Sequence, residues 1–156
     1  DSYQVVYKND GITITAFDVT HEPIEPAVGY KIEFNGKKVI ISGDTKKNEL
    51  LIDMAQNCDL LVHEVMLMSF QKMLADANKK AGFDRNAKII TDIQNYHTSA
   101  EEVAEIAKEA NVKSLVLNHL APAPDNRMLK RMYLEQMKAF DGEKNLAEDG
   151  DVFMVK

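Results

Sequence analysis

Apolar and polar residues alternate over Ile12-Thr13-Ile14-Thr15-Ala16-Phe17, behind the turn residues Asn9-Asp10-Gly11. A two-residue period predicts a half-buried strand. Val28-Gly29-Tyr30-Lys31-Ile32-Glu33-Phe34 alternates again, and Asn35-Gly36 separates it from Lys37-Lys38-Val39-Ile40-Ile41. Asn-Gly between two such runs predicts a tight hairpin, because both turn residues tolerate positive φ. Between these pairs, Asp18 to Pro26 is rich in proline and carboxylates and reads as an extended loop. Two shorter apolar runs, Asp59-Leu60-Leu61-Val62 and Leu115-Val116-Leu117-Asn118, read as buried strands.

Helical spacing fills the gaps. Leu50, Leu51, Met54 and Ala55 recur within Lys46–Asn57, with Asp44 or Thr45 placed to cap the start. A Met-rich amphipathic stretch from about Val65 to Lys80 puts Met66, Phe70, Met73 and Leu74 in the core. Ala81 to Tyr96 shows no clear period and reads as a long loop. Thr98 with Glu101, or Ser99 with Glu102, has capping-box spacing. Val103, Ile106, Ala107 and Ala110 form the buried stripe that follows, and Asn111 ends it. The breaker run Ala121-Pro122-Ala123-Pro124-Asp125 precedes a helix from about Asn126 to Phe140. Asp149-Gly150 then turns into a closing strand, Val152–Val155.

Three of these strands stop at residues that carry chemistry. Ile41 is followed by Ser42-Gly43-Asp44, Val62 by His63-Glu64, and Asn118 by His119. If the strands are parallel neighbours, one sheet edge collects Asp44, His63, Glu64 and His119. Ligands of layered α/β proteins bind at that edge. Carboxylate oxygen mixed with imidazole nitrogen suits divalent metal ions. His97 stands just before a helix N-terminus, where the dipole is expected to lower an imidazole pKa. Plainer readings exist beside these: Asp44 as a helix cap, His119 as a loop histidine, His63 as a hydrogen-bonded core residue.

Composition narrows the class. A chain of 156 residues with 45% apolar and 28% charged residues is expected to form a single domain with a real core. The net charge of −6 argues against a nucleic-acid surface on this chain. One cysteine, Cys58, excludes an internal disulfide. No apolar run approaches transmembrane length. A soluble chain with no membrane partner is expected, cytoplasmic or periplasmic.

With these residues in view, the chain resembles the C-terminal half of a metallo-β-lactamase-fold hydrolase, nearest to the ribonuclease Z and arylsulfatase-like branch. The resemblance rests on Val19-Thr20-His21-Glu22-Pro23 with Gly29-Tyr30, Ser42-Gly43-Asp44-Thr45, and Asp59-Leu60-Leu61-Val62-His63-Glu64. His97-Thr98-Ser99-Ala100 and Leu117-Asn118-His119 complete it, in the family's order. It implies an α/β (α+β) chain forming half of an αββα sandwich, a mixed sheet with helices on its outer face. It implies two divalent cations, zinc before manganese or iron. Asp44 matches the bridging carboxylate and His119 a terminal ligand. His97 and Glu64 match the residues that handle proton transfer, and His21 lines the substrate pocket. Glu64 sits in His63-Glu64-Val65-Met66, which departs from the family's His-Glu-Ala-Thr after two residues.

The family's upstream cluster His-x-His-x-Asp-His is not among the residues of this chain, and the first residue is Asp1. The expectation is one domain over residues 1–156, with the N-terminal metal-binding half supplied by another part of the same protein. The implied substrate is a phosphodiester or another small-molecule ester, and a homodimer is expected from an uncovered sheet face. Two other classes stand beside this: a non-catalytic, self-associating α/β domain, and a small metal-free ligand-binding domain.

Overall fold

The computed structural model describes residues 2–155. Among the described residues seven strands form one sheet in chain order: β1 (Tyr3–Asn9), β2 (Ile12–Asp18), β3 (Val28–Phe34), β4 (Lys37–Ile41), β5 (Leu60–Met66), β6 (Ser114–Ala121) and β7 (Glu143–Leu146). Strands β1 to β4 are antiparallel and β4 to β7 are parallel, so the sheet is mixed. Both hairpin turns follow from their sequences. Asp10 and Gly11 take φ of 48° and 79°, and Asn35 and Gly36 take 49° and 74°. Two-residue loops of this kind match the twist of the strands they join.

Among the described residues the helices are α1 (Glu49–Ala55), α2 (Met68–Lys80), α3 (Asp84–Ile93), α4 (Ala100–Glu109) and α5 (Arg127–Gln136). Alternate strand residues Phe17, Ile40, Leu61, Val65, Leu115 and Leu117 pack beneath α1, α4 and α5, joining Leu51, Val103, Ile106 and Tyr133 in one core. The α4 stripe follows the expected positions, closed by Asn111 at φ 51°. The opposite face of the sheet carries Ile14, Ile32, Val39 and Ile41 half-buried, with Tyr30 and Phe34 exposed. A mixed sheet with a helical layer on one side is the α/β arrangement expected. No described helix is long and apolar enough to cross a membrane.

Several elements differ from the sequence reading. Tyr3–Asn9, to which the sequence reading assigns no element, is a strand, because the Asp10-Gly11 turn folds it back along β2. Strand β5 runs on to Met66, so α2 starts later than the Met-rich period suggests, and Met73 and Leu74 lie exposed. The supposed loop after Ala81 contains α3. Its signal, Ala87-x-x-Ile90-x-x-Ile93, is too short to stand out, and packing on α2 stabilises it. The closing strand Val152–Val155 does not form. The polar segment Glu143–Leu146 takes the edge of β6 instead, leaving Val152 and Met154 exposed. Helix α1 is capped by Asn48, not by Asp44 or Thr45.

One buried carboxylate holds the opposite end of the sheet together. Asp59 accepts from the Lys38 backbone N–H at 2.8 Å and from Lys113 Nζ at 2.8 Å, with Lys37 Nζ at 3.7 Å. The Lys113 hydrogen bond, then the Lys38 N–H, hold its pKa below the usual 3.8. A depressed carboxylate stabilises the fold above its unfolded pKa, and that stability is lost as pH falls through the folded value. Asp59→Asn is therefore expected to cost about 1–3 kcal/mol at pH 7. Urea denaturation at pH 7 and in acid should show a smaller acid-induced loss in the variant than in the parent. Equal losses would remove Asp59 from the account.

Candidate metal centre

The sheet edge at the ends of β4, β5 and β6 is where the chemistry collects, and each strand delivers its residue differently. Strand β4 ends at Ile41, and Ser42 N–H still reaches Val62 O at 2.9 Å. Gly43 then turns at φ 64°, with room for no side chain: an added Cβ would stand 2.5 Å from Val28 O. Only glycine combines that angle with that approach, and the turn leaves Asp44 half-exposed beyond the strand. Strand β6 delivers His119 through a bulge. Glu64 pairs with Asn118 and Val65 with Leu120, so His119 is the extra residue, at φ 44°. Bulges re-aim side chains. His119 Nε2 stands 3.4 Å from Asp44 Oδ2.

His97 arrives from the loop before α4. Ser99 caps that helix in a full capping box with Glu102, and Met66 N–H donates to Thr98 O at 2.8 Å, tying the loop to the end of β5. Asp44, His97 and His119 each present one ligand atom, and these atoms lie within 4.8 Å of one another. The His97 and His119 rings are 5.6 Å apart, centre to centre.

Behind His97 lies Glu64, 1% exposed. Its Oε1 takes the His97 Nδ1 contact at 3.1 Å and accepts from the N–H groups of Thr45 and Thr98, each at 3.1 Å. Its own N–H donates to Ser42 Oγ at 3.1 Å. A buried carboxylate needs such partners. Burial works to lower the His97 pKa, but the Glu64 hydrogen bond and charge, with Asp44 nearby, carry it above the usual value. This overturns the expectation that the helix terminus would lower it: a carboxylate in contact outweighs a partial dipole charge.

His21 stands 5.0 Å from His97, ring to ring, with Nδ1 2.8 Å from Tyr96 O. His63 does not join the group. Strand alternation turns it toward the helices, fully buried, with Nδ1 2.6 Å from the Glu64 carbonyl, and burial pushes its pKa down. Ser42, Thr45 and Thr98 hold Glu64, roles invisible in sequence because their partners lie 19 to 34 residues away. Sequence reasoning also did not place His97 within ligand reach of Asp44.

The chemistry of this donor set, two imidazoles and a carboxylate backed by a second carboxylate, fits a divalent cation. Fold and edge together define a candidate sheet-edge metal site. Residues 1–120 match the family model described as a beta-lactamase superfamily domain, and the chain belongs to the metallo-β-lactamase superfamily. It is similar to ribonuclease Z of Mycobacterium tuberculosis (strain H37Rv), 32% identical over 75% of this chain and 39% of that protein. Among solved structures it is similar to the metallo-beta-lactamase fold protein YhfI from Bacillus subtilis, with TM-score 0.70 and 24% identity over 95% of this chain and 52% of that one. It is also similar to human tRNase Z, short form, with TM-score 0.63 and 21% identity over 99% and 48%. The chain thus spans about half or less of the length of the relatives it matches.

Proposed function

We propose that this chain is one half of a metal-dependent phosphodiester hydrolase, whose site is completed by ligands from another part of the same protein. The observation that carries it is the convergence of Asp44, His97 and His119 within 4.8 Å, at the edge of a sheet of this superfamily. Asp44 and His119 would be ligands of two divalent cations, zinc first, with the remaining ligands supplied by the other half. When bound, such cations polarise the electrophile and make a water acidic enough to attack. Glu64 fixes the His97 ring through Nδ1, and His97 gives a proton to the leaving oxygen. His21 lines the pocket beside His97. The likeness to ribonuclease Z favours a phosphodiester, while the net charge of −6 favours a substrate smaller than a folded RNA.

The uncovered sheet face favours a second reading, a self-associating domain without catalysis. Apolar Ile14, Ile32, Val39 and Ile41 with exposed Tyr30 and Phe34 would pack against another layer. The test is hydrolysis of bis(p-nitrophenyl) phosphate, with zinc or manganese supplied, by the protein carrying both halves and by its Asp44→Asn variant. Turnover that disappears in the variant supports the hydrolase. No turnover, with a dimer of this chain in sedimentation, supports the second reading.

A further inference from the structure

Past His119 the sheet edge opens into a cleft that the proposed reaction leaves unused. It measures about 530 Å³ and lies between the β6–α5 connection, the start of α5 and the residues after β7. We propose that this cleft binds an apolar organic group ending in an ammonium. With the hydrolase reading above, on which this last step rests, that group is the non-leaving alcohol of the phosphodiester. His97, which serves the leaving oxygen, does not line the cleft, whereas His119 does.

The lining chooses the ligand. Leu120, Ala123, Pro124 and Leu146 give the walls an apolar surface, and the carboxylates Asp125, Glu148 and Asp149 complete them. Lys130 Nζ also lines the cleft, but it is paired with Glu148 Oε1 at 2.5 Å. Three carboxylates against one ammonium leave an excess of negative charge. A cleft of one sign with low-dielectric walls concentrates its field, which favours a cation and opposes a second anion. Its volume falls among those of small-molecule sites, where apolar walls hold the body of a ligand and a few polar groups orient it. Carboxylates scattered over a surface would carry no such meaning; these share a cleft with four apolar side chains and border His119.

The walls are also set before any ligand arrives. Buried Tyr133 donates from its hydroxyl to Pro122 O at 2.8 Å, pinning the β6–α5 connection. Asn126 caps α5 by accepting from Leu129 N–H at 3.0 Å. On the opposite side, Ala147 N–H donates to Leu117 O at 2.9 Å, and Glu148 N–H donates to Asp151 Oδ2 at 2.9 Å. A preformed site spares a ligand the cost of ordering it.

Nuclear magnetic resonance titration of this chain with benzylammonium, benzyl alcohol and benzoate tests the assignment. Benzylammonium should bind with a Kd of about 1–10 mM, ordinary for so small a ligand, and shift the amide signals of Leu120, Ala123, Leu146 and Ala147. Benzyl alcohol should bind about 3–10-fold more weakly, and benzoate should not saturate. Ala123→Trp, at an exposed position, fills the cleft and should weaken benzylammonium about 10-fold or more. Asp125→Asn combined with Asp149→Asn removes charge alone and should bring benzylammonium down to the level of benzyl alcohol. Far-UV circular dichroism matching the parent shows that each variant is folded. Benzylammonium that binds no tighter than benzyl alcohol or benzoate, or that shifts only signals elsewhere, overturns the proposal.

In the protein carrying both halves, p-nitrophenyl phosphodiesters of benzyl alcohol and of para-aminomethylbenzyl alcohol extend the test. The amine should show a KM about 3–10-fold lower, and the double Asn variant should lose that advantage with kcat unchanged. Equal KM values with hydrolysis intact overturn the substrate assignment alone. No hydrolysis of either ester, with benzylammonium still bound, sinks the hydrolase reading and leaves the cleft as an amine site.

Discussion

Gly43→Ala is expected to lower the unfolding free energy by about 2–5 kcal/mol. A left-handed backbone costs a residue with a Cβ about 1–2 kcal/mol, and overpacking a tight site adds about 1–3 kcal/mol. At φ 64° the new methyl group would stand 2.5 Å from Val28 O, a backbone atom fixed in the sheet that cannot yield like a side-chain tip. That is a large share of the stability of an ordinary domain. Gly36→Ala is the internal comparison. Gly36 also has positive φ, 74°, but no atom lies within 4 Å of its added Cβ, so only the backbone cost of about 1–2 kcal/mol applies. Chemical denaturation of both variants separates the two contributions. Equal losses would show that the contact with Val28 does not matter. The same change displaces Asp44, and a misplacement of about 1 Å can lower turnover about 10²-fold.

His97→Ala, made in the protein carrying both halves, is expected to lower kcat about 10²–10⁴-fold, the usual contribution of a positioned proton donor. The loss should shrink for substrates whose leaving group needs no proton, such as p-nitrophenolate, and stay large for alkoxide leaving groups. Glu64→Gln should follow the same pattern more weakly, because it acts through His97 at 3.1 Å rather than on the substrate. A His97→Ala loss that is uniform across leaving groups would remove the proton-donor role and point to a structural one.

Local chemistry settled much of this protein in advance. Asn35-Gly36 can serve as a two-residue turn wherever two strands flank it, since its preference for positive φ belongs to the residues themselves. Ser99 and Glu102 cap α4 through neighbours three residues apart, and the α4 stripe recurs at the period of a single helix. Asp44 and His119 stand out in the sequence for a similar reason: each lies a few residues beyond a short apolar run, Val39–Ile41 or Leu115–Leu117.

Tertiary structure decided what depends on partners distant in the chain. Val152–Val155 has better strand residues than Glu143–Leu146, yet the polar segment pairs with β6, because a sheet edge accepts whichever backbone reaches it. His63 and Glu64 are adjacent in sequence, but strand alternation sends one under the helices and the other to the site. The bulge that turns His119 toward Asp44 exists only in the register of β6 against β5. Ser42, Thr45 and Thr98 become the cradle of Glu64 only when the ends of β4 and β5 meet the start of α4. Residue types and short spacings fix conformations whose energies are local, whereas a site assembled across a sheet edge is fixed by pairing and burial of the whole fold.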